Sequence, residues 1–253
     1  MSEYEGIVAA VTGGGAGIGL AIAVELAARG ARVAALDLDT SSVPEGILAV
    51  ECDVTSRDSV GTAISTVAGQ LGGLDVVVNN AGISAVGTIE DLSDDDWHRV
   101  LDVNVVGMAR VSAAALPRLR ESEHAAIVNL CSIGALNGLP QRALYNASKG
   151  AVLALTYAMA TDHVAEGIRV NAVSPGTVHT GFVDRMLERF PDPAKEKAAL
   201  DARQATGRMV TPEEVAAAVA YLASPRSGST TGTALEVDGG VTHLRTRPIQ
   251  ETT

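Results

Sequence analysis

The chain has 253 residues, of which 47% are hydrophobic and 19% charged, and it carries a formal net charge of -11 at pH 7. So much apolar material supports a large core and argues against intrinsic disorder. An acidic chain without a basic run gains nothing from a phosphate backbone, so nucleic-acid binding is not expected.

In chain order, the acidic segment Met1-Ser2-Glu3-Tyr4-Glu5 runs directly into a predicted strand at residues 7–11, with no signal-peptide pattern. A helix is predicted at 18–29, strands at 32–36 and 47–51, a helix at 57–71 and a strand at 74–79. A long helix at 94–119, a strand at 126–131, a helix at 145–166 and a strand at 169–173 follow. A helix at 212–223 and a strand at 234–237 close the pattern. Strands alternating with helices of this length predict βαβ units and a parallel sheet covered on both faces, an α/β chain forming one domain over residues 1–253. Residues 177–211, which contain Pro191 and Pro193, interrupt the rhythm and read as a substrate-side insertion. Residues 242–253 read as a surface extension. No apolar run reads as long enough to span a bilayer.

Cys52 and Cys131 lack CxxC spacing and sit among apolar residues, which suits small core side chains in a reducing cytoplasm. His98, His124, His163, His179 and His243 form no ligand-spaced cluster, so no metal site is expected.

The first predicted strand leads into Thr12-Gly13-Gly14-Gly15-Ala16-Gly17-Ile18-Gly19 and then a helix. Glycines here let the backbone approach a pyrophosphate, while the helix N-terminus offers unpaired N–H groups to the anion. Asp37 closes the second strand, 18 residues past Gly19. A carboxylate there can accept both ribose hydroxyls and would repel a 2′-phosphate. No Arg or Lys lies in the glycine loop or just after Asp37, which argues for NAD over NADP. The alternative for Asp37 is an ordinary strand-end carboxylate capping a turn.

Tyr145 and Lys149 are four residues apart and project from one helical face. A tyrosine phenol ordinarily has a pKa of about 10, and a neighbouring ammonium favours the phenolate, which makes a proton-exchanging group. Ser132 falls at the carboxyl edge of the fifth strand, where doubly wound sheets bind ligands, and its hydroxyl could hold a substrate oxygen. Asn104, a mediocre helix former among apolar neighbours, wants a polar reason for its place. Each of these taken singly has a bland alternative: a solvated helix face for the pair, a turn cap for the serine.

The TGxxxGxG spacing, with Ser132 13 residues before Tyr145, resembles the short-chain dehydrogenase/reductase pattern from about Gly6 to Gly240. The resemblance implies a doubly wound Rossmann fold and an NAD-dependent enzyme with Asn104, Ser132, Tyr145 and Lys149 as catalytic residues. It also implies cofactor contacts from Gly13, Gly15, Gly17, Ile18, Gly19 and Asp37, from Asp53 and Val54 at the adenine, and from Asn80, Ala81 and Gly82 in the Asn79-Asn80-Ala81-Gly82 motif. Tyr145 and Lys149 reach the nicotinamide ribose, and Pro175, Gly176, Val178 and Thr180 complete the cofactor set, with Asp238-Gly239-Gly240 as the closing turn. His179 gets little role because Tyr145 already supplies the acid.

Within the family the chain resembles the cytosolic type 2 3-hydroxybutyrate dehydrogenase branch. That likeness implies that Arg142 and Arg203, with Ser132 and Tyr145, bind a small hydroxy acid; the branch's third arginine falls near Arg185 but aligns with Met186. A neutral sugar or alcohol, a 3-oxoacyl thioester, and a non-catalytic NAD-binding regulator remain the alternatives. Family likeness further implies a homotetramer built on residues 108–116, 152–159 and the last strand.

Overall fold

Runs of buried apolar residues set the centre of the molecule. In the computed structural model, which describes residues 2–188 and 190–246, every residue of β1 (Val8–Thr12), β4 (Val76–Asn79) and β5 (Ala126–Leu130) is buried. Such strands fit only a sheet covered on both faces. With β2 (Arg32–Asp37), β3 (Leu48–Glu51), β6 (Arg169–Pro175) and β7 (Ala234–Val237) they form a seven-stranded sheet in the order β3-β2-β1-β4-β5-β6-β7. All six pairings are parallel. The direction of winding reverses between β1 and β4, which opens a crevice at the carboxyl ends of those strands.

Two helical layers cover the sheet. On one face α1 (Gly17–Ala28) and α8 (Pro212–Ala223) pack together over Val11, Val78 and Val128. On the other lie α2 (Arg57–Leu71), α4 (Met108–Leu119) and α5 (Ala143–His163). The N-cap of α1 is Ala16, which makes no side-chain capping bond, so the first N–H groups of that helix are left for another partner.

Several predicted boundaries move. The fifth strand stops at Leu130, so Ser132 lies two residues past it and instead caps a 3-10 turn, Ile133–Ala135. The helix expected to open at Tyr145 opens at Ala143. The predicted helix at 94–119 is α3 (Asp94–Leu101), a π-helical stretch (Asp102–Gly107) and α4. That rod of 26 residues, with a hydropathy of 1.3, is long and apolar enough to cross a membrane, against the expectation that nothing in the chain is. Its apolar side rests on the sheet: α4 contacts β4, β5 and α2, and a core helix meets the same length and composition test.

The insertion folds as two helices, α6 (Gly181–Leu187) and α7 (Pro193–Asp201). Residues 247–253 of the predicted surface extension lie outside the described residues. The part before them is a folded turn: the carboxylate of Asp238 accepts the N–H groups of Gly240 at 2.7 Å and Thr242 at 2.8 Å.

Candidate active site

The carboxyl edge of β5 and the first turn of α5 bring the chemistry-bearing side chains together. Lys149 is buried, and its ammonium donates to the Leu130 carbonyl at 2.7 Å, which fixes it 5.8 Å from the centre of the Tyr145 ring. Spacing alone put the two residues on one face; the strand-end carbonyl supplies the anchor. Ser132 Oγ accepts the Gly134 N–H at 3.0 Å, which leaves the hydroxyl hydrogen free to donate. A Cβ built on Gly134 would meet Tyr145 Cε1 at 3.3 Å and Ser132 Oγ at 3.4 Å, so the serine and the phenol ring flank one small residue.

Asn104 explains the π-helical stretch. Its side chain, 1% exposed, accepts the Ile83 N–H at 2.8 Å and donates to the Ile83 carbonyl at 2.9 Å and to Ser148 Oγ at 3.0 Å. Ser148 in turn donates to the Tyr145 carbonyl at 2.8 Å. The extra residue of a π turn re-aims a side chain within an otherwise regular helix. Here it turns Asn104 toward the loop after β4 and toward the helix that carries Tyr145 and Lys149.

The glycine loop sits at the crevice between β1 and β4. Gly17 has φ +53, a region where glycine alone is at ease, and a Cβ there would find only Thr180 Cγ2 at 3.8 Å. The space before it, at the uncapped start of α1, suits a pyrophosphate. Asp37 Oδ2 accepts the Gly15 N–H at 2.9 Å, holding a carboxylate at the rim of the same space. These features fit a dinucleotide.

Comparison with known proteins agrees. The family model described as Enoyl-(Acyl carrier protein) reductase matches residues 13–242. The chain is 40% identical to 2-(S)-hydroxypropyl-CoM dehydrogenase 3 of Xanthobacter autotrophicus over 248 residues, 94% of this chain and 97% of that one. It is 38% identical to meso-2,3-butanediol dehydrogenase of Serratia marcescens over 248 residues, 95% of this chain and 96% of the other. The solved structure of Thermoplasma acidophilum aldohexose dehydrogenase superposes with a TM-score of 0.90 at 35% identity, covering 97% of this chain and 98% of that one. The chain belongs to the short-chain dehydrogenase/reductase family. It is an oxidoreductase that moves a hydride between a secondary alcohol and a ketone, and the family uses nicotinamide cofactors.

The remaining expected residues of this short-chain dehydrogenase/reductase have the following surroundings. Asn80 Nδ2 donates to the carbonyls of Thr12 at 2.9 Å and Gly13 at 3.0 Å. Thr12 Oγ1 accepts the N–H groups of Asn80 at 3.0 Å and Ala81 at 3.1 Å, which laces the two crevice loops together. Asp53 Oδ1 accepts from the hydroxyl of Thr55 at 2.7 Å and from its N–H at 2.8 Å, bonds that hold the carboxyl below its ordinary range. Val54 packs on Gly107, where an added Cβ would lie 3.0 Å from Val54 Cγ2. Gly176 donates to the Val237 carbonyl at 3.0 Å, directly after Pro175. Val178 is buried and bridges to Val210, while Thr180 opens α6 opposite Gly17. His179 lies 2.7 Å from Asp184 Oδ1 on the exposed side.

The two candidate substrate arginines have different surroundings. Arg142 Nη1 donates to the Ala85 carbonyl at 3.3 Å. Arg203 is exposed and lines an open cleft of about 420 Å³ together with Arg245.

Sequence reasoning overlooked four contributors. Thr12 and Ser148 were legible inside the quoted motifs but received no role. Asn137, which donates to Thr242 Oγ1 at 3.0 Å and whose carbonyl accepts from Asn146 Nδ2 at 3.0 Å, tethers the tail beside the catalytic helix. Arg245 gave no signal at all.

Proposed function

We propose that the chain is an NAD-dependent dehydrogenase that interconverts a small hydroxy acid and the corresponding oxo acid. The observation that carries the reading is the buried Lys149 ammonium 5.8 Å from the Tyr145 ring centre, with the Ser132 hydroxyl beside the same ring. In oxidation Tyr145 Oη takes the substrate hydroxyl proton, with the Lys149 ammonium held beside its ring. Ser132 donates to the substrate oxygen and holds it while charge develops there. Asn104 fixes the Tyr145-bearing turn through Ser148 and organises proton exit on that side. A nicotinamide cofactor held in the crevice would supply the hydride acceptor in this direction and the hydride donor in the other.

Gly13, Gly15, Gly17, Ile18 and Gly19 would hold the pyrophosphate side, and Asn80, Ala81, Gly82, Pro175, Gly176, Val178 and Thr180 the nicotinamide side. Asp53 and Val54 would flank the adenine. The choice of NAD rests on Asp37, whose carboxylate disfavours a 2′-phosphate, and on the lack of a cation in the glycine loop or just after Asp37. Arg203 and Arg142 are the cationic residues offered to a carboxylate. We also propose a cytoplasmic homotetramer; for the assembly, the exposed Val106 and Tyr157 on the long helices offer apolar contact surface.

The test is Tyr145→Phe. Turnover of a hydroxy-acid panel should fall below detection while NAD still binds with nearly the wild-type dissociation constant. Substantial turnover in that variant refutes the assignment.

A further inference from the structure

We propose that Asn146 is a positioning residue: its side-chain amide grips the turn that carries Ser132 and, through Asn137 and Thr242, ties that turn to the carboxyl-terminal segment. The proposal rests on the hydride-transfer reading above and deepens it by naming what holds the Ser132 hydroxyl against the Tyr145 ring.

Three observations carry it. The first is contact at both ends of one short turn. Asn146 Nδ2 donates to the Asn137 carbonyl at 3.0 Å. Asn146 Oδ1 lies against Gly134, where an added Cβ would meet it at 2.8 Å, Tyr145 Cε1 at 3.3 Å and Ser132 Oγ at 3.4 Å. The residue that follows Tyr145 in the chain thus reaches across the turn that Ser132 caps, from Gly134 to Asn137.

The second is that this oxygen is buried and accepts no hydrogen bond among the described residues. A buried acceptor left unpaired is costly. The opposite amide orientation would set two acceptors face to face, Asn146 Oδ1 and the Asn137 carbonyl. The amide therefore keeps its donor on Asn137 and turns its oxygen to Gly134.

The third is that the same stretch of chain is pinned elsewhere. Asn137 Nδ2 donates to Thr242 Oγ1 at 3.0 Å and to the Ile133 carbonyl at 3.2 Å, while the Thr242 N–H is held by the Asp238 carboxylate at 2.8 Å. At the far end, Gln141 has φ +54, the left-handed region, which no other non-glycine residue occupies among the described residues. Its carbonyl accepts the Gly87 N–H at 2.9 Å. Backbone of this kind persists where its surroundings over-determine it. Residues 132–141 are thus fastened by Asn146 and Thr242 at one end and by Gly87 at the other. A reacting geometry displaced by about 1 Å can cost about a hundredfold in rate, so a slackened turn should be felt at Ser132 first.

The experiment uses Asn146→Leu, which is near-isosteric and has no donor, Thr242→Val, which loses the hydroxyl, and Thr242→Ser, which keeps it. Each is assayed well below its own Tm, on whichever of 3-hydroxybutyrate, 2,3-butanediol and D-glucose the wild type oxidises fastest with NAD or NADP. In Asn146→Leu kcat should fall about ten- to hundredfold, with the dinucleotide dissociation constant nearly unchanged. Thr242→Val should lose about fivefold and Thr242→Ser should recover it. Hydrogen-exchange mass spectrometry of Asn146→Leu and Thr242→Val should show the amides of residues 133–137 exchanging about fivefold faster or more. A lower Tm with unchanged kcat in the folded variants marks a merely structural residue and overturns the proposal, as does unchanged exchange at residues 133–137. Should Asn146→Leu not fold, the Thr242 pair on the surface turn decides by the same two readouts. A wild type that oxidises only the neutral alcohols removes the hydroxy-acid reading and leaves this test intact. If it oxidises none of the three, the exchange measurement alone decides.

Discussion

Asn104→Ala should destabilise the protein by about 3 kcal/mol and lower kcat more than it raises the dinucleotide dissociation constant. The side chain makes three hydrogen bonds, two to the Ile83 backbone and one to Ser148, and is 1% exposed. A net value of about 1 kcal/mol for each neutral bond gives the total. Ile83 is only half-buried, so water can re-satisfy its backbone and the larger penalty of an orphaned buried group does not add. In a chain of this size that loss lowers Tm by about 6–12 °C. Asn104→Asp sharpens the test. A carboxylate keeps the Ile83 N–H as a donor but loses both donations, and burial raises its folded pKa above the unfolded value. A raised folded pKa means stability that is full below the unfolded value and is lost as pH rises through the folded one. The Asn104→Asp deficit should therefore be small near pH 4 and grow toward pH 7, read by denaturant melts across that window. A deficit under 0.5 kcal/mol in Asn104→Ala, on the order of a surface change, or a pH-independent deficit in Asn104→Asp, refutes the role given to this side chain.

Three further outcomes follow from the backbone and the caps. Gly19→Ala would put a Cβ within 2.0 Å of the Gly13 carbonyl oxygen, which cannot yield, so NAD affinity by fluorescence quenching should fall at least tenfold; Gly61→Ala, with nothing within 4 Å inside α2, should instead stabilise by about 0.5–1 kcal/mol in a thermal melt. Glu214 is drawn down to about 2 by hydrogen bonds from Arg208 and the Thr211 N–H. A depressed carboxyl lends stability above its ordinary value of 4.5 and loses it as pH falls toward 2. Glu214→Gln should thus cost about 0.5–1 kcal/mol at pH 7, the scale of an exposed ion pair at a helix cap, and the difference in Tm should close on acidification. A gap that stays constant down to pH 3 contradicts that assignment.

What the sequence displays and what it hides divide along physical lines. Both-face burial leaves an unbroken apolar run, so the parallel strands were plain, and a four-residue spacing on a helix necessarily places Tyr145 and Lys149 on one side. Ser132 was displaced by two residues because a strand and the extended residues just after it share the same backbone region, and only the loss of ladder partners marks the end. The π turn at Asn104 is invisible to periodicity, since one inserted residue leaves the apolar stripe nearly intact. The helix α7 is hidden in residues 177–211, where Pro191, Pro193 and mixed polar residues interrupt the rhythm. With Asp192 as N-cap and Pro193 in the first turn, the same residues spell a helix start. The tail gave least, because its shape depends on Asp238 receiving two N–H groups from residues ahead of it, a contact that no pattern announces.

The division of labour in the site follows from where its parts are attached. Tyr145 and Lys149 belong to α5 and Ser132 to the turn just after β5, and their positions are set by a buried carbonyl, a buried asparagine and a glycine that admits no side chain. Little there can change without loss of proton transfer. Arg203 and Arg245 stand on an exposed loop and a surface turn, the loop joined to the Thr177 N–H through Gln204 and the turn to Asn137 through Thr242. Substitutions on that surface should cost little stability. Selectivity should move with residues 202–207 and 243–246, and rate with Asn104, Ser132, Tyr145 and Lys149. Exchanging the former segments between this chain and a neutral-diol relative should therefore transfer substrate preference without transferring the pH dependence of kcat.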